Sequence, residues 1–159
     1  MIGKEFFKAG HTPTLASAFF YFDMSFMVWV LLGSLGVQIA KDLELDAAQK
    51  GLMVAVPVLA GAVLRIVNGV LVDRVGPKRA GIVAQLIVIV GLLTAWALKV
   101  DTYTGILAVG LVLGVAGSSF AIALPLASRW YPPQYQGVAL GIAGAGNSGT
   151  VFASLFAPA

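Results

Sequence analysis

Five apolar runs, each close to or beyond the ~20 residues that a helix needs to cross ~30 Å of hydrocarbon, leave this chain little choice of solvent. They cover about 15–40, 51–72, 80–98, 103–128 and 137–157, each bounded by charge or by Pro and Gly. Charged residues make up 11% of the sequence against 59% hydrophobic and fall in short islands between the runs, whereas a soluble domain spreads about a quarter of its residues as charge over its surface. A water-soluble fold is excluded on that ground. The expected class is an all-α membrane protein that crosses the bilayer several times, because a helix satisfies its own backbone hydrogen bonds in lipid. Residues 1–14 are expected to form an N-terminal tail, and residues 15–159 the membrane domain. The apolar run after Lys4 and Lys8 is too long for the ~7–15 residues of a signal-peptide core.

Charge placement gives the spans a direction. Lys4, Lys8, Arg74, Lys78, Arg79 and Arg129 fall on one side of the alternation, and Lys41, Lys50 and Lys99 on the other. The positive-inside bias puts the N-terminus in the cytoplasm, and the expected location is the inner, cytoplasmic membrane. The net charge of +3 is thus a topology signal and not a nucleic-acid footprint. With no cysteine, neither a disulfide framework nor a thiolate metal site is possible. The single histidine, His11, lies in the tail, and no cluster combines nucleophile, base and orienting group. An enzyme, a cofactor and a bound metal are therefore not expected.

Ionisable and polar residues inside the spans are few, which makes each informative. Arg65 sits ~10 Å from the near end of its helix, too deep for complete snorkelling. Its planar, permanently charged donors match paired anionic oxygens, so an anion ligand is weighed against a structural ion pair. Gly61, Arg65 and Asn68 share one helical face and read as a cavity lining. Asp23, at a similar depth of ~12 Å, is a buried partner for Arg65 or a proton-coupling carboxylate. Pro57 and Pro125 are expected to kink their helices. In the fifth run, Gly137 and Gly141 form a GxxxG pair expected to seat a neighbouring backbone, and Asn147 needs a partner, either another helix or a substrate. Gly144, Gly146 and Gly149 match the letters of a dinucleotide fingerprint, but the strand and acidic residue it requires are missing.

The second connection reads Gly69-Val-Leu-Val-Asp73-Arg74-Val-Gly76-Pro-Lys78-Arg79, and here the sequence resembles the major facilitator superfamily. The resemblance implies a helix bundle of the twelve-helix transporter type, of which about five helices are present. It also implies that Gly69, Asp73, Arg74, Gly76, Lys78 and Arg79 form a cytoplasmic gating motif. Ala143-Gly144-Ala145-Gly146-Asn147-Ser148-Gly149 looks like the signature of the nitrate/nitrite porter family within that superfamily, and Phe22-Asp23-Met24-Ser25-Phe26-Met27-Val28-Trp29 is similar to its first helix.

That resemblance implies secondary active transport of nitrate, nitrite or both, with protons as a further partner, by alternating access. Arg65, Asn147 and Gly144 fall at its substrate-binding positions, and Phe120 is the candidate aromatic residue beside them. The chain looks like the front of such a transporter, without a sixth helix and the C-terminal half that supplies the other side of the anion site. Transport of another small anion or organic acid by a superfamily relative, and a non-transporting packing or assembly protein, are the alternatives. A buried arginine argues against the last.

Overall fold

The structure, a computed structural model, describes residues 4–158; residues 1–3 of the expected tail and Ala159 lie outside them. Within the described residues the chain is helical from end to end. A short helix α1 (Lys4–Ala9) precedes α2 (Thr12–Trp29), α3 (Leu31–Ser34) and α4 (Gly36–Asp42), which together carry the first apolar run. There follow α5 (Ala47–Val75), α6 (Pro77–Ala97), α7 (Tyr103–Gly117), α8 (Phe120–Ser128), α9 (Pro133–Gly144), a 3₁₀ turn (Ala145–Ser148) and α10 (Gly149–Phe156). Four stretches are long and apolar enough to cross a membrane: 47–75, 77–97, 103–128 and 133–156. The first run differs from the expected single span, being divided by non-helical backbone at Val30 and Leu35.

Helix α5 begins a turn earlier than expected. Asp46 caps it by accepting a 2.8 Å bond from the Gln49 N–H, and Gln49 Oε1 accepts the Asp46 N–H at 3.1 Å. This capping box satisfies two otherwise orphaned donors. At the other end one residue, Gly76, joins α5 to α6. Its φ of +84° is the left-handed region that costs other residues about 1–3 kcal/mol, and Pro77 then starts α6 with a pre-set φ. Glycine at this point of the charged loop is therefore required by the turn itself.

Helices α7 and α8 form the central span, of which half is buried. Small residues let neighbours approach it. A Cβ on Gly114 would overlap Ala60 and come within 2.9 Å of the Gly61 nitrogen, and one on Gly110 would sit 3.2 Å from Pro57. The side of α5 that packs inward is Met53, Pro57, Gly61, Asn68 and Val72, at intervals of four and seven residues, whereas Val63, Ile66, Val67 and Val70 point outward. Exposed aliphatic side chains over most of α5 and α6 are what a lipid-facing surface presents. The helix runs on through Pro57, and the fourth span breaks at Ser118–Ser119 instead of at Pro125.

Two further findings depart from the sequence reading. The expected tail is folded onto the bundle: Phe6 is buried, stacks on Tyr131 with ring centres 4.7 Å apart, and packs with Leu15, Ala18, Ala127, Ala139 and Ala143. Among the described residues nothing packs into the expected GxxxG seat, since a Cβ on Gly137 or Gly141 would meet nothing within 4 Å. The tight contact lies further along the same span. Gly146 and Gly149 press on the α2 backbone at Phe19, Asp23 and Met27, because the 3₁₀ turn rotates them, and not Gly137 and Gly141, toward α2.

Candidate anion site at the broken fourth span

Arg65, two turns before Val72 at the end of the α5 inner stripe, is half-buried and reaches the break in the fourth span. Its Nη2 donates to the Gly117 carbonyl at 3.2 Å, which α7 leaves unpaired at its end. Its guanidinium carbon lies 5.4 Å from the centre of the Phe120 ring, a cation–π contact worth about 0.5–2 kcal/mol. Nε is buried and without a hydrogen-bond partner. A buried, charged donor left unbonded is costly, and with Nε enclosed by the packing an anion would meet the terminal nitrogens of the guanidinium or require the side chain to shift.

The neighbours hold that arrangement in place. Three residues after Arg65, Asn68 donates to Ser118 Oγ, which in turn donates to the Val115 carbonyl at 2.6 Å. Four residues before it, Gly61 is covered by Trp29, whose Nε1 donates to the Pro57 carbonyl at 2.9 Å. A Cβ on Gly117 would also strike the Trp29 ring. The face expected to line a cavity is thus packed at Gly61 and at Asn68, and only Arg65 between them is left partly open. Trp29, Ser118 and Ser119 went unrecognised in the sequence as parts of this site. The Gly110-x₃-Gly114-x₂-Gly117 stripe facing α5 was the signal that α7 packs there closely enough for a side chain to reach the break.

From Phe120 an aromatic chain crosses the bundle. Its ring is 5.8 Å from Phe22, and Phe22 is 4.2 Å from Phe26, which is 4.9 Å from Trp29. Phe22 in turn lies against Gly146, so Arg65 on α5 and the Ala145–Ser148 turn are linked through Phe120 and Phe22. Asn147 is exposed on that turn and bonds no described side chain, its carbonyl accepting from Thr150 Oγ1. Gly144, just before it, has open space at its Cα. Arg65, Phe120 and Asn147 are therefore side chains of three different helical segments with uncovered surface, and no direct bond joins them.

The expected pairing of Asp23 with Arg65 does not occur. Asp23 is buried and accepts from Ser148 Oγ, because Gly149 draws that turn against Asp23's own backbone. Among the described residues the one ion pair joins Arg129 to Asp73 at 3.5 Å. It ties the start of the α5–α6 turn to the end of α8, both ends exposed, and such pairs contribute ~0–1 kcal/mol. Arg74, Lys78 and Arg79 are exposed around it, and a Cβ on Gly69 would meet nothing within 4 Å.

The family model described as Major Facilitator Superfamily matches residues 15–159. The chain belongs to that superfamily. Its membership makes it a multi-pass membrane protein. It is 37% identical over 150 residues to the "Probable nitrate/nitrite transporter NarK2" of Mycobacterium tuberculosis, covering 94% of this chain and 38% of that one. It is 36% identical over 133 residues to the "Nitrite extrusion protein" of Bacillus subtilis (84% and 33%). It is 32% identical over 139 residues to the "Probable nitrate/nitrite antiporter NarK1" of Thermus thermophilus (87% and 31%). The chain thus spans about a third of the length of these relatives.

Proposed function

We propose that this chain forms one wall of the substrate site in a secondary transporter of nitrate and nitrite. The observation that carries the reading is Arg65: a half-buried guanidinium, stacked on Phe120, fixed through one nitrogen to Gly117 and unbonded at Nε. Nitrate and nitrite are small, planar and weakly hydrated, and a guanidinium can meet them with two parallel N–H donors. Asn147 and Gly144 offer an amide and an uncrowded backbone on a facing segment. The names of the relatives support the same substrates. Alternating access needs a second half to rock against this one around the site, and the lengths of the relatives provide for it.

Asp23 is the carboxylate placed to take part in proton coupling, being buried beside Ser148 with no cation within ion-pair distance among the described residues. The test is uptake by the full-length protein in proteoliposomes. Labelled nitrate is expected to enter and to be competed by nitrite, and an imposed pH gradient is expected to drive wild type more strongly than Asp23→Asn. Carriage of lactate or acetate without nitrate would move the assignment to an organic-anion transporter. An identical response of Asp23→Asn to the gradient would remove Asp23 from coupling.

The end of the bundle that carries His11, Arg79 and Arg129 faces the cytoplasm in this reading, in the cytoplasmic membrane, with Asp73 and Arg129 as a latch that parts when the site opens inward. This chain has no cysteine, so Lys4→Cys gives a single label once any cysteines elsewhere in the full-length protein are replaced. A membrane-impermeant maleimide should leave it unmodified in intact cells and react after permeabilisation; reaction in intact cells would invert the topology.

A further inference from the structure

At the basic end of the bundle the structure holds a cavity of about 840 Å³ whose lining includes His11, Gly76, Lys78, Arg79, Arg129 and Trp130. Among the described residues no acidic side chain lines it, and Asp73 reaches it only by pairing with Arg129. Lys78 and Arg79 make no ion pair and stand on the first turn of α6, whose free N–H groups add to the positive potential. Ser17, Pro77, Lys78 and Leu126 also line a second cavity of about 300 Å³ that continues along the helices past Tyr21, Gly81, Ile82 and Ile122. This second space is almost purely apolar and lies between α2, α6 and α8.

A cationic basin at the helix ends, sharing the wall of Ser17, Pro77, Lys78 and Leu126 with an apolar groove along the helices, has the polarity of one molecule class. We infer that it is a binding site for an anionic phospholipid, with the phosphate among Lys78, Arg79 and Arg129 and an acyl chain along the groove. Basic pockets between membrane helices at the cytoplasmic surface recognise lipid headgroups in this way. Trp130, 53% exposed beside His11 with ring centres 5.0 Å apart, sits where an amphipathic ring marks the headgroup level. A soluble phosphate would use the basin alone and leave the groove without a role. The site follows from the membrane fold and is independent of which anion is transported.

Native mass spectrometry of the full-length protein, titrated with phosphatidylglycerol, phosphatidylcholine or inorganic phosphate, tests it. At roughly fivefold per uncompensated cation, two cations give phosphatidylglycerol an advantage of about 25-fold over phosphatidylcholine. Lys78→Gln/Arg79→Gln should abolish that advantage. Ser17→Phe, on an exposed position at the neck between the two spaces, should weaken lipid retention several-fold while leaving the melting temperature unchanged, which keeps the test valid should the loop variant fold poorly. Equal retention of the two lipids, or unaltered retention in Ser17→Phe, would overturn the inference. Inorganic phosphate displacing the lipid at equal concentration would show a phosphate basin and not a lipid site.

Discussion

Arg65→Lys is expected to lower nitrate uptake by the full-length protein about tenfold to a hundredfold, with the protein still folded and inserted. Lysine keeps the charge, so the Coulombic attraction of the site survives. What it loses is the planar fork: it cannot hold the Gly117 carbonyl with one nitrogen while presenting others to an oxyanion, and it stacks less well on Phe120. Charge-assisted hydrogen bonds contribute about 1.5–3 kcal/mol, and losing one on that scale gives the stated factor. Arg65→Ala removes the charge as well and should reduce uptake further. Arg65→Ala should not fall in melting temperature as a core truncation would, because the cost of a partly bonded, half-buried cation disappears with the guanidinium. Uptake against nitrate concentration separates the roles, with a ligand loss raising the apparent Km. Uptake unchanged in Arg65→Lys would leave Arg65 as a structural pin for the Gly117 carbonyl.

Much of this site was legible in the sequence because lipid makes polar residues conspicuous. An arginine inside an apolar run demands a partner or a cavity, and the helical period put it on the stripe that includes Gly61 and Asn68. Phe120 followed from the family resemblance, and the structure does place its ring against the Arg65 guanidinium. Pairing was less legible. Asp23 and Arg65 share a depth, and depth alone allowed them to meet. Which way each side chain faces depends on rotation about the helix axis, and that rotation is fixed by small residues elsewhere: Gly149 against α2 sets Asp23 toward Ser148, and Gly114 and Gly117 set Arg65 toward the α7–α8 break. Breaks of one or two residues were not legible either. Val30, Leu35 and Ser118 carry no helix-breaking signature, while Pro57 and Pro125, which do, lie within continuous helix. The hydrogen-bond deficit of a proline is a local penalty, whereas the Ser118 break is stabilised by a partner on α5, Asn68, that only the tertiary structure supplies.

Gly149→Leu is expected to remove the folded protein altogether. A Cβ at this buried position would fall inside the Asp23 carbonyl and 2.9 Å from the Met27 nitrogen, and both obstacles are backbone of α2, which no rotamer change can clear. The α10 segment would have to withdraw from α2, breaking the Ser148–Asp23 bond and opening the seam that also holds Gly146 against Phe19 and Phe22. Overpacking that a flexible side chain relieves costs about 1–3 kcal/mol; with main chain on the other side, the cost belongs to the exceptional class above about 4 kcal/mol. Even Gly149→Ala should destabilise strongly, since the first added carbon makes the clash. Gly137→Ala provides the contrast, because its Cβ enters open space and alanine is the better helix former by about 1 kcal/mol. Size-exclusion profiles and melting temperatures of fluorescently tagged full-length variants in detergent would check both. A folded Gly149→Leu would mean that α2 and the fifth span are not in backbone contact, and that Asp23 has room for a partner other than Ser148.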